Sequence, residues 1–369
     1  VNPQIMAASG MDAGAVFVAT CIGAAIGCLL MGLFANWPVG LAPGMGLNAF
    51  FSFTVVSEMG YSWEVALGAV FLSGLMFFLL SIFRIREWII NSIPMALRSA
   101  IAAGIGLFLA LIALKNAGIV IDHPETLVAM GDLTQPGALL AAGGFAVIVA
   151  LAYRKVTGAV MIGILLVTAI SLLTGLSQAD GVVSAPPSLT PTFMQLDIKG
   201  AFEVGMLSII FAFLFVDLFD TSGTLIGVAQ RANLVDKDGK MPCLGRALMA
   251  DSTATMAGAA LGTSTTTSYI ESTAGISAGW RTGLTAVVVA LLFLACLLLS
   301  PMASIIPAYA TAPALLYVAV LMASGLKLID WDDITEAAPA VVTALMMPLT
   351  FSIANGIALG FITYAVIKA

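Results

Sequence analysis

Asp217 and Asp220 lie three residues apart in the otherwise apolar run Phe215-Val216-Asp217-Leu218-Phe219-Asp220-Thr221-Ser222-Gly223-Thr224. On a helix that spacing puts both acids on adjacent turns of one face. Two buried carboxylates so placed cannot both stay ionised at low cost, so at least one should hold a proton near neutral pH. Reversible protonation of this kind is what coupling to a proton gradient requires. A pairing with Arg231 or Arg246 at the helix end would account for one of the acids, but less readily for both.

Two further segments combine polar groups with broken helical patterns. In Gly262-Thr263-Ser264-Thr265-Thr266-Thr267-Ser268-Tyr269-Ile270-Glu271-Ser272-Thr273-Ala274-Gly275 an unbroken run of hydroxyl residues precedes a carboxylate. The β-branched threonines favour an extended approach, and Glu271 then falls in the first turns of the helix that follows. In Val39-Gly40-Leu41-Ala42-Pro43-Gly44-Met45-Gly46-Leu47-Asn48-Ala49-Phe50-Phe51, Pro43 pushes Ala42 toward extended geometry and a helix starts near Met45. The glycines Gly44 and Gly46 could serve helix packing alone. Asn48 adds a polar side chain that lipid does not tolerate, which favours a binding site. Asp251, in Met249-Ala250-Asp251-Ser252-Thr253, is expected to orient these segments or to contact ligand directly. His123, the only histidine, sits in a polar loop and reads as a solvated surface residue.

What must position these groups is a membrane-spanning scaffold. The 369 residues are 60% hydrophobic and 9% charged, with mean hydropathy +1.08, against roughly a quarter charged residues in soluble domains. Apolar stretches such as 13–34, 65–83, 100–113 and 285–299 approach the ~20 residues that cross a bilayer. The fold class is all-α and polytopic. Cys21, Cys28, Cys243 and Cys296 lack the spacing of a metal site or disulfide framework and read as small core residues. No phosphate-binding loop, paired metal-ligating histidines or Ser/His/Asp set is legible, so an enzyme or a self-contained ATP-driven pump is not expected, nor any cofactor, metal or nucleic-acid partner.

Apolar runs and turn residues predict helices at 12–35, 45–57, 63–83, 95–115, 136–153, 157–174, 201–227, 244–261, 266–277, 281–300, 307–326, 335–352 and 354–368. Residues 1–8 read as the remainder of a truncated first helix, giving fourteen spans. Threading from a cytoplasmic N-terminus puts all Lys and Arg on the inner side except Lys115 and Lys199, in keeping with the positive-inside rule. The polar stretch 177–200 divides two halves, 1–176 and 201–369, each of seven helices. An odd number makes the second half run inverted. Ser92-Ile93-Pro94 is echoed by Ser304-Ile305-Ile306-Pro307, and the short segments before the third and tenth helices occupy matching positions. Inverted repeats with interrupted segments point to a binding site at the bilayer midplane.

Three motifs in this order, Gly40 to Phe51, Val216 to Thr224 and Thr267 to Ser272, resemble the AzgA-like purine permeases of the nucleobase-ascorbate transporter (nucleobase:cation symporter) superfamily. The similarity continues through Asp330-Trp331-Asp332-Asp333-Ile334-Thr335-Glu336 and Ser352-Ile353-Ala354-Asn355-Gly356. The resemblance implies a fourteen-helix fold of two inverted repeats, with a core domain carrying substrate and a gate domain making a homodimer contact. It also implies elevator-like movement of core against gate in the cytoplasmic (inner) membrane. It places the base-binding acids at Glu271 and at Asp217 or Asp220, with Asn48 as a third polar contact. The substrate would be hypoxanthine, guanine or adenine, with protons as the coupling ion. Relatives that carry uracil or xanthine have Glu where this chain has Asp.

The chemistry of the residues agrees. A purine edge offers N–H donors to the carboxylates Asp217, Asp220 and Glu271, while Thr267, Ser272 and backbone amides serve its acceptors. Phe50 is a candidate stacking ring among several aromatics. An anion carrier is disfavoured by acids without an intramembrane Arg or Lys. A cation channel, or a sodium-coupled transporter of another small polar solute, is the competing reading.

Overall fold

The computed structural model describes every residue except 84–93, 178–180, 182, 233, 235–240, 242, 270, 278 and 369. Ser92, Ile93 and Ile270, and the basic residues Arg84, Arg86, Lys237 and Lys240 included in the threading, therefore lie outside the described residues.

The helices in chain order are α1 (Asn2–Ala7), α2 (Ala13–Leu30), α3 (Met45–Ala49), α4 (Trp63–Ile82), α5 (Met95–Asn116), α6 (Pro136–Tyr153), α7 (Ala159–Leu173), α8 (Val204–Arg231), α9 (Leu244–Leu261), α10 (Ser272–Ser277), α11 (Leu284–Cys296), α12 (Ser300–Ile305), α13 (Ala308–Ala323), α14 (Ile334–Leu349) and α15 (Ile353–Lys368). The strands are β1 (Leu41–Pro43), β2 (Val120–His123), β3 (Leu127–Met130) and β4 (Thr266–Ser268). Among the described residues, 7 helical spans are long and apolar enough to cross a membrane.

Local chemistry sets several boundaries. The Asp12 carboxylate accepts from Ala15 N at 2.7 Å and starts α2, an N-cap that satisfies one of the helix's orphan donors. Pro136 opens α6, where its missing N–H costs nothing. Asp333 caps α14 by accepting from Thr335 N at 2.9 Å. Gly262 ends α9 at φ +100, and a Cβ there would collide with Thr192, so only glycine fits. Two stretches, Met31–Ala35 after α2 and Phe50–Glu58 after α3, are π-helical.

Two predicted features change. The helix expected at 266–277 begins only at Ser272, because Thr266–Ser268 form β4 instead. Their branched side chains suit extended backbone, and β1 offers a partner for their N–H and C=O groups. The loop between α5 and α6 also contains an antiparallel hairpin of β2 and β3 that alternation did not reveal.

The chain forms two compact units, each drawing segments from both halves of the sequence. Unit 1 contains Met95–Ser184 and Leu299–Ala369; unit 2 contains Asn2–Pro94 and Ala185–Leu298. In unit 1, α5 packs on α13 and α14, and α14 packs on α15. Close approach is permitted by Gly104 against Ala344 and Met347, and by Gly106 against Ala319 and Met322. In unit 2, α9 packs on α2 and α4, and α8 packs on α4 and β4. A buried cluster around Trp37, Leu41, Leu225, Val228, Leu248 and Ile276 forms part of its core.

Candidate functional site

The centre of unit 2 is the antiparallel pair β1 and β4, with Leu41 opposite Ser268, Ala42 opposite Thr267 and Pro43 opposite Thr266. Hydrogen bonds extend the pairing at both ends: Gly44 N donates to Thr265 O at 2.9 Å, and Tyr269 N donates to Gly40 O at 3.0 Å. The Tyr269 hydroxyl donates to Pro43 O at 2.6 Å, and Gly40 N donates to Ser272 Oγ at 3.0 Å. Proline is tolerated in so short a strand because pairing here needs only some of its N–H groups. The two broken segments thus satisfy each other's backbone inside an apolar protein, where lone polar groups are costly.

This pairing gathers most of the predicted residues. Thr267 donates to the Asp220 carboxylate, and Glu271 acts on Asp220 electrostatically more strongly than Asp251 does. Tyr269 lies in the field of both Glu271 and Asp220. Asp220 is half-buried and Glu271 exposed, so this pair is the accessible part of the acidic set. Gly44 allows a close approach, since a Cβ there would lie 3.0 Å from Thr267 Oγ1. Ser272 Oγ accepts from Gly40 N, which leaves its own proton available to another group.

The other acids are fully enclosed. Asp217 and Asp251 are both 0% exposed, and Thr221 Oγ1 lies between them, 3.3 Å from Asp217 Oδ1 and 2.9 Å from Asp251 Oδ2. Ser268 Oγ donates to Asp251 Oδ1 at 2.8 Å. Asp251 therefore ties α8 to β4. Thr255, one turn along α9, adds a hydroxyl bond to Thr266 O at 2.9 Å. The cationic end of Arg246 lies over the Phe34 ring at 5.5 Å.

Asn48 is fully buried and donates to Asn2 Oδ1 at 2.6 Å. The Asn2 amide donates to Thr20 Oγ1 at 2.6 Å and Thr263 Oγ1 at 2.9 Å. Asn48 thus ties α3 to α1, and Asn2 carries the tie on to α2 and the approach to β4; none of these bonds reaches Asp220 or Glu271. Gly46 is half-buried within α3. Phe50 is enclosed and packs edge-on against Phe213, with centroids 5.0 Å apart. Asn2, Thr221, Thr263 and Ser268 were not singled out from sequence. The usable signal was the same as for Asn48: a hydrogen-bonding side chain in an apolar helix, or a hydroxyl one turn beyond an acid.

A cavity of about 190 Å³ in unit 1, between α5, α6 and α13, has apolar walls including Ala113, Phe145 and Pro313. It carries no group able to recognise a polar solute. Among the described residues no cluster of His, Cys, Asp and Glu could hold a metal ion.

A model of the Permease family, Xan_ur_permease, matches residues 1–359. The chain belongs to that family. This permease is 52% identical over 368 residues to the adenine permease AdeP of Escherichia coli (strain K12), covering 100% of the chain and 83% of that protein. It is 48% identical over 359 residues to the guanine/hypoxanthine permease PbuG of Bacillus subtilis (strain 168), covering 96% of the chain and 81% of the relative. Among solved structures, the transmembrane domain of the cyanobacterial bicarbonate transporter BicA superposes with TM-score 0.67 at 16% identity, covering 98% of this permease and 97% of that chain. Murine Slc26a9 gives TM-score 0.68 at 13% identity, covering 99% and 66%. At such identities the likeness concerns fold alone. The permease is a multi-pass membrane transporter and not an enzyme.

Proposed function

We propose that this permease takes up purine nucleobases by proton-coupled secondary active transport. The observation that carries the reading is the accessible pair of carboxylates, Asp220 on α8 and Glu271 beyond β4, gathered by the pairing of β1 and β4. Relatives about half identical over the whole chain are named adenine and guanine/hypoxanthine permeases. Each carboxylate accepts a ring or amino N–H of the base, and the Ser272 hydroxyl and nearby backbone N–H groups meet its acceptors. A base that leaves one of these groups unpaired is rejected by the desolvation cost. Asp251 ties α8 to β4 through Thr221 and Ser268, and Asn48 holds α3 in place behind them.

The wider reading has fourteen spans in two inverted repeats, the N-terminus on the cytoplasmic side of the inner membrane, and a homodimer. Unit 2 is the moving core and unit 1 the gate of an elevator-like cycle. The test is uptake of radiolabelled adenine, guanine, hypoxanthine, uracil and xanthine by cells lacking their own purine permeases, with and without a protonophore. Saturable purine uptake that collapses with the protonophore and with Glu271→Ala is expected. No purine uptake from a protein confirmed in the membrane overturns the substrate assignment.

A further inference from the structure

Two arginines border an apolar helix face at one corner of unit 2. Arg246, in the first turn of α9, holds its guanidinium over the Phe34 ring, 5.5 Å from the centroid. Arg281 donates from Nη1 to Ile276 O and to Trp280 O, both at 2.9 Å, which pins it to the end of α10. Both arginines are exposed, and neither joins an ion pair among the described residues. The corner between them is tightly closed. Gly283 N donates to Asn36 Oδ1 at 2.9 Å, and a Cβ on Gly32 or on Gly283 would collide with the other's carbonyl oxygen. The start of α11 is thereby held against the π-helical end of α2, and α9 packs on the same stretch. Phe34 lies two residues before Asn36 and Arg281 two residues before Gly283, steps of at most about 7 Å each. The two guanidiniums are thus anchored on either side of one short contact.

An apolar track leads away from this corner. Leu284, Val288, Leu291 and Leu292 of α11 are exposed and recur at the spacing of one helix face. Their span is the least enclosed of the seven described, so in a membrane this face meets lipid tails. We propose that Arg246 and Arg281 form a headgroup site for an anionic phospholipid whose acyl chains lie along α11. A phosphodiester accepts paired N–H bonds from the planar guanidinium fork. Phe34 covers a face of the Arg246 group and leaves its edges free to donate. Arg281 directs Nη1 to carbonyls and has Nη2 and Nε for the phosphate. Tails are as apolar as the leucines they touch and gain little by exchange with other lipid, so selection falls on the headgroup. Choline or ethanolamine brings a cation of its own and cancels part of the Coulomb gain, whereas phosphatidylglycerol and cardiolipin do not.

The charges of the surrounding elements do not neutralise the pair. α2, its π-helical end, α10 and α11 carry no acid. Asp251 of α9 is fully enclosed and accepts from Thr221 and Ser268. Glu271 lies before α10, at the opposite end from Arg281. Residues 232–243 set Asp236 and Asp238 against Lys237 and Lys240, a balance of zero. α8 ends at Arg231, next to Ala232 of the buried cluster that includes Ala247 and Leu248, which adds a third basic residue to this end of unit 2. Basic clusters of this kind beside transmembrane helices hold anionic headgroups. On the proposed topology the leaflet is the cytoplasmic one. The site requires only that the chain spans a membrane, so it stands or falls apart from the purine reading.

Purified permease in detergent, titrated with phosphatidylglycerol, cardiolipin or phosphatidylcholine and followed by thermal shift, provides the test. The two anionic lipids should raise the Tm at concentrations about tenfold or more below phosphatidylcholine, the weight of a hydrogen bond to a charged group. Arg246→Gln combined with Arg281→Gln should remove that preference and leave the response to phosphatidylcholine unchanged. Arg246→Lys combined with Arg281→Lys keeps the charge but loses the fork, and should keep only part of the preference. Arg154→Gln, at an exposed position of unit 1, should keep all of it. Native mass spectrometry should find phosphatidylglycerol or cardiolipin retained by the wild type and lost from the double glutamine variant. If that variant does not fold, Arg281→Gln alone should cut the preference several-fold. Equal protection of the wild type by anionic lipid and phosphatidylcholine overturns the proposal. So does a preference that survives both glutamine substitutions, or one that vanishes in Arg154→Gln. An equal shift from glycerol 3-phosphate, which has the phosphate without the tails, overturns it as a lipid site.

Discussion

At the scale of single residues, the accessible acids divide from the enclosed ones. Asp220 and Glu271 are open to a ligand, whereas Asp251 spends both oxygens on Thr221 and Ser268. Glu271→Ala and Asp220→Ala should each reduce purine uptake about 10- to 100-fold, the weight of a hydrogen bond to a charged group, with the protein still folded by thermal-shift assay. Tyr269→Phe removes the 2.6 Å bond to Pro43 O and should cost about 1 kcal/mol, read as a lower Tm and a higher KM. Gly262→Ala, at φ +100 and against Thr192, should lower stability by about 1–3 kcal/mol. Outside the membrane spans, the Asp333 carboxyl is held below its ordinary 3.8 mainly by the Thr335 hydroxyl and N–H. Because that value is depressed on folding, its contribution is present above the unfolded pKa and disappears as pH falls through the folded one. The start of α14 should therefore keep its hydrogen-exchange protection at pH 5 and lose it only in stronger acid.

At the scale of elements, two three-residue strands organise the site. β1 leads directly into α3 and β4 lies shortly before α10, and neither strand could satisfy its backbone alone in an apolar interior. Their register puts Thr267 toward Gly44 and Asp220, while Thr266 and Ser268 turn toward α9. That alternation is the ordinary two-residue period of a strand. Pro43→Cys with Thr266→Cys, directly opposed across the pair, should form a disulfide on mild oxidation in a background without the four native cysteines. The offset pair Ala42→Cys with Thr266→Cys should cross-link far less, because a one-residue shift turns the side chains to opposite faces.

At the scale of the whole molecule, the described chain divides into two compact units that interleave in sequence. The paired strands and all the acids of the site belong to unit 2. If unit 2 moves as one body during transport, the Pro43–Thr266 cross-link joins parts that travel together. Purine uptake in the oxidised double-cysteine variant should then stay within about threefold of the reduced form, a change below 1 kcal/mol. Loss of uptake restored by reductant would instead place a moving joint between the strands.

Much of this was legible before folding was considered. Helix positions followed from apolar period and turn residues, with 136–153 and 244–261 matching α6 and α9 at both ends, since these segments must bury their backbone within themselves in lipid. The acids of the candidate site stood out in the sequence because carboxylates are rare in membrane helices. Spacing alone could not show that β1 and β4 pair, because the partners lie more than two hundred residues apart and each satisfies the other's backbone only once brought together. Nor could it separate Asp220 from Asp217. A difference of three positions makes them neighbours on one helix face, and only the packing of α9 and β4 against that face leaves Asp220 half-buried and Asp217 enclosed beside Thr221.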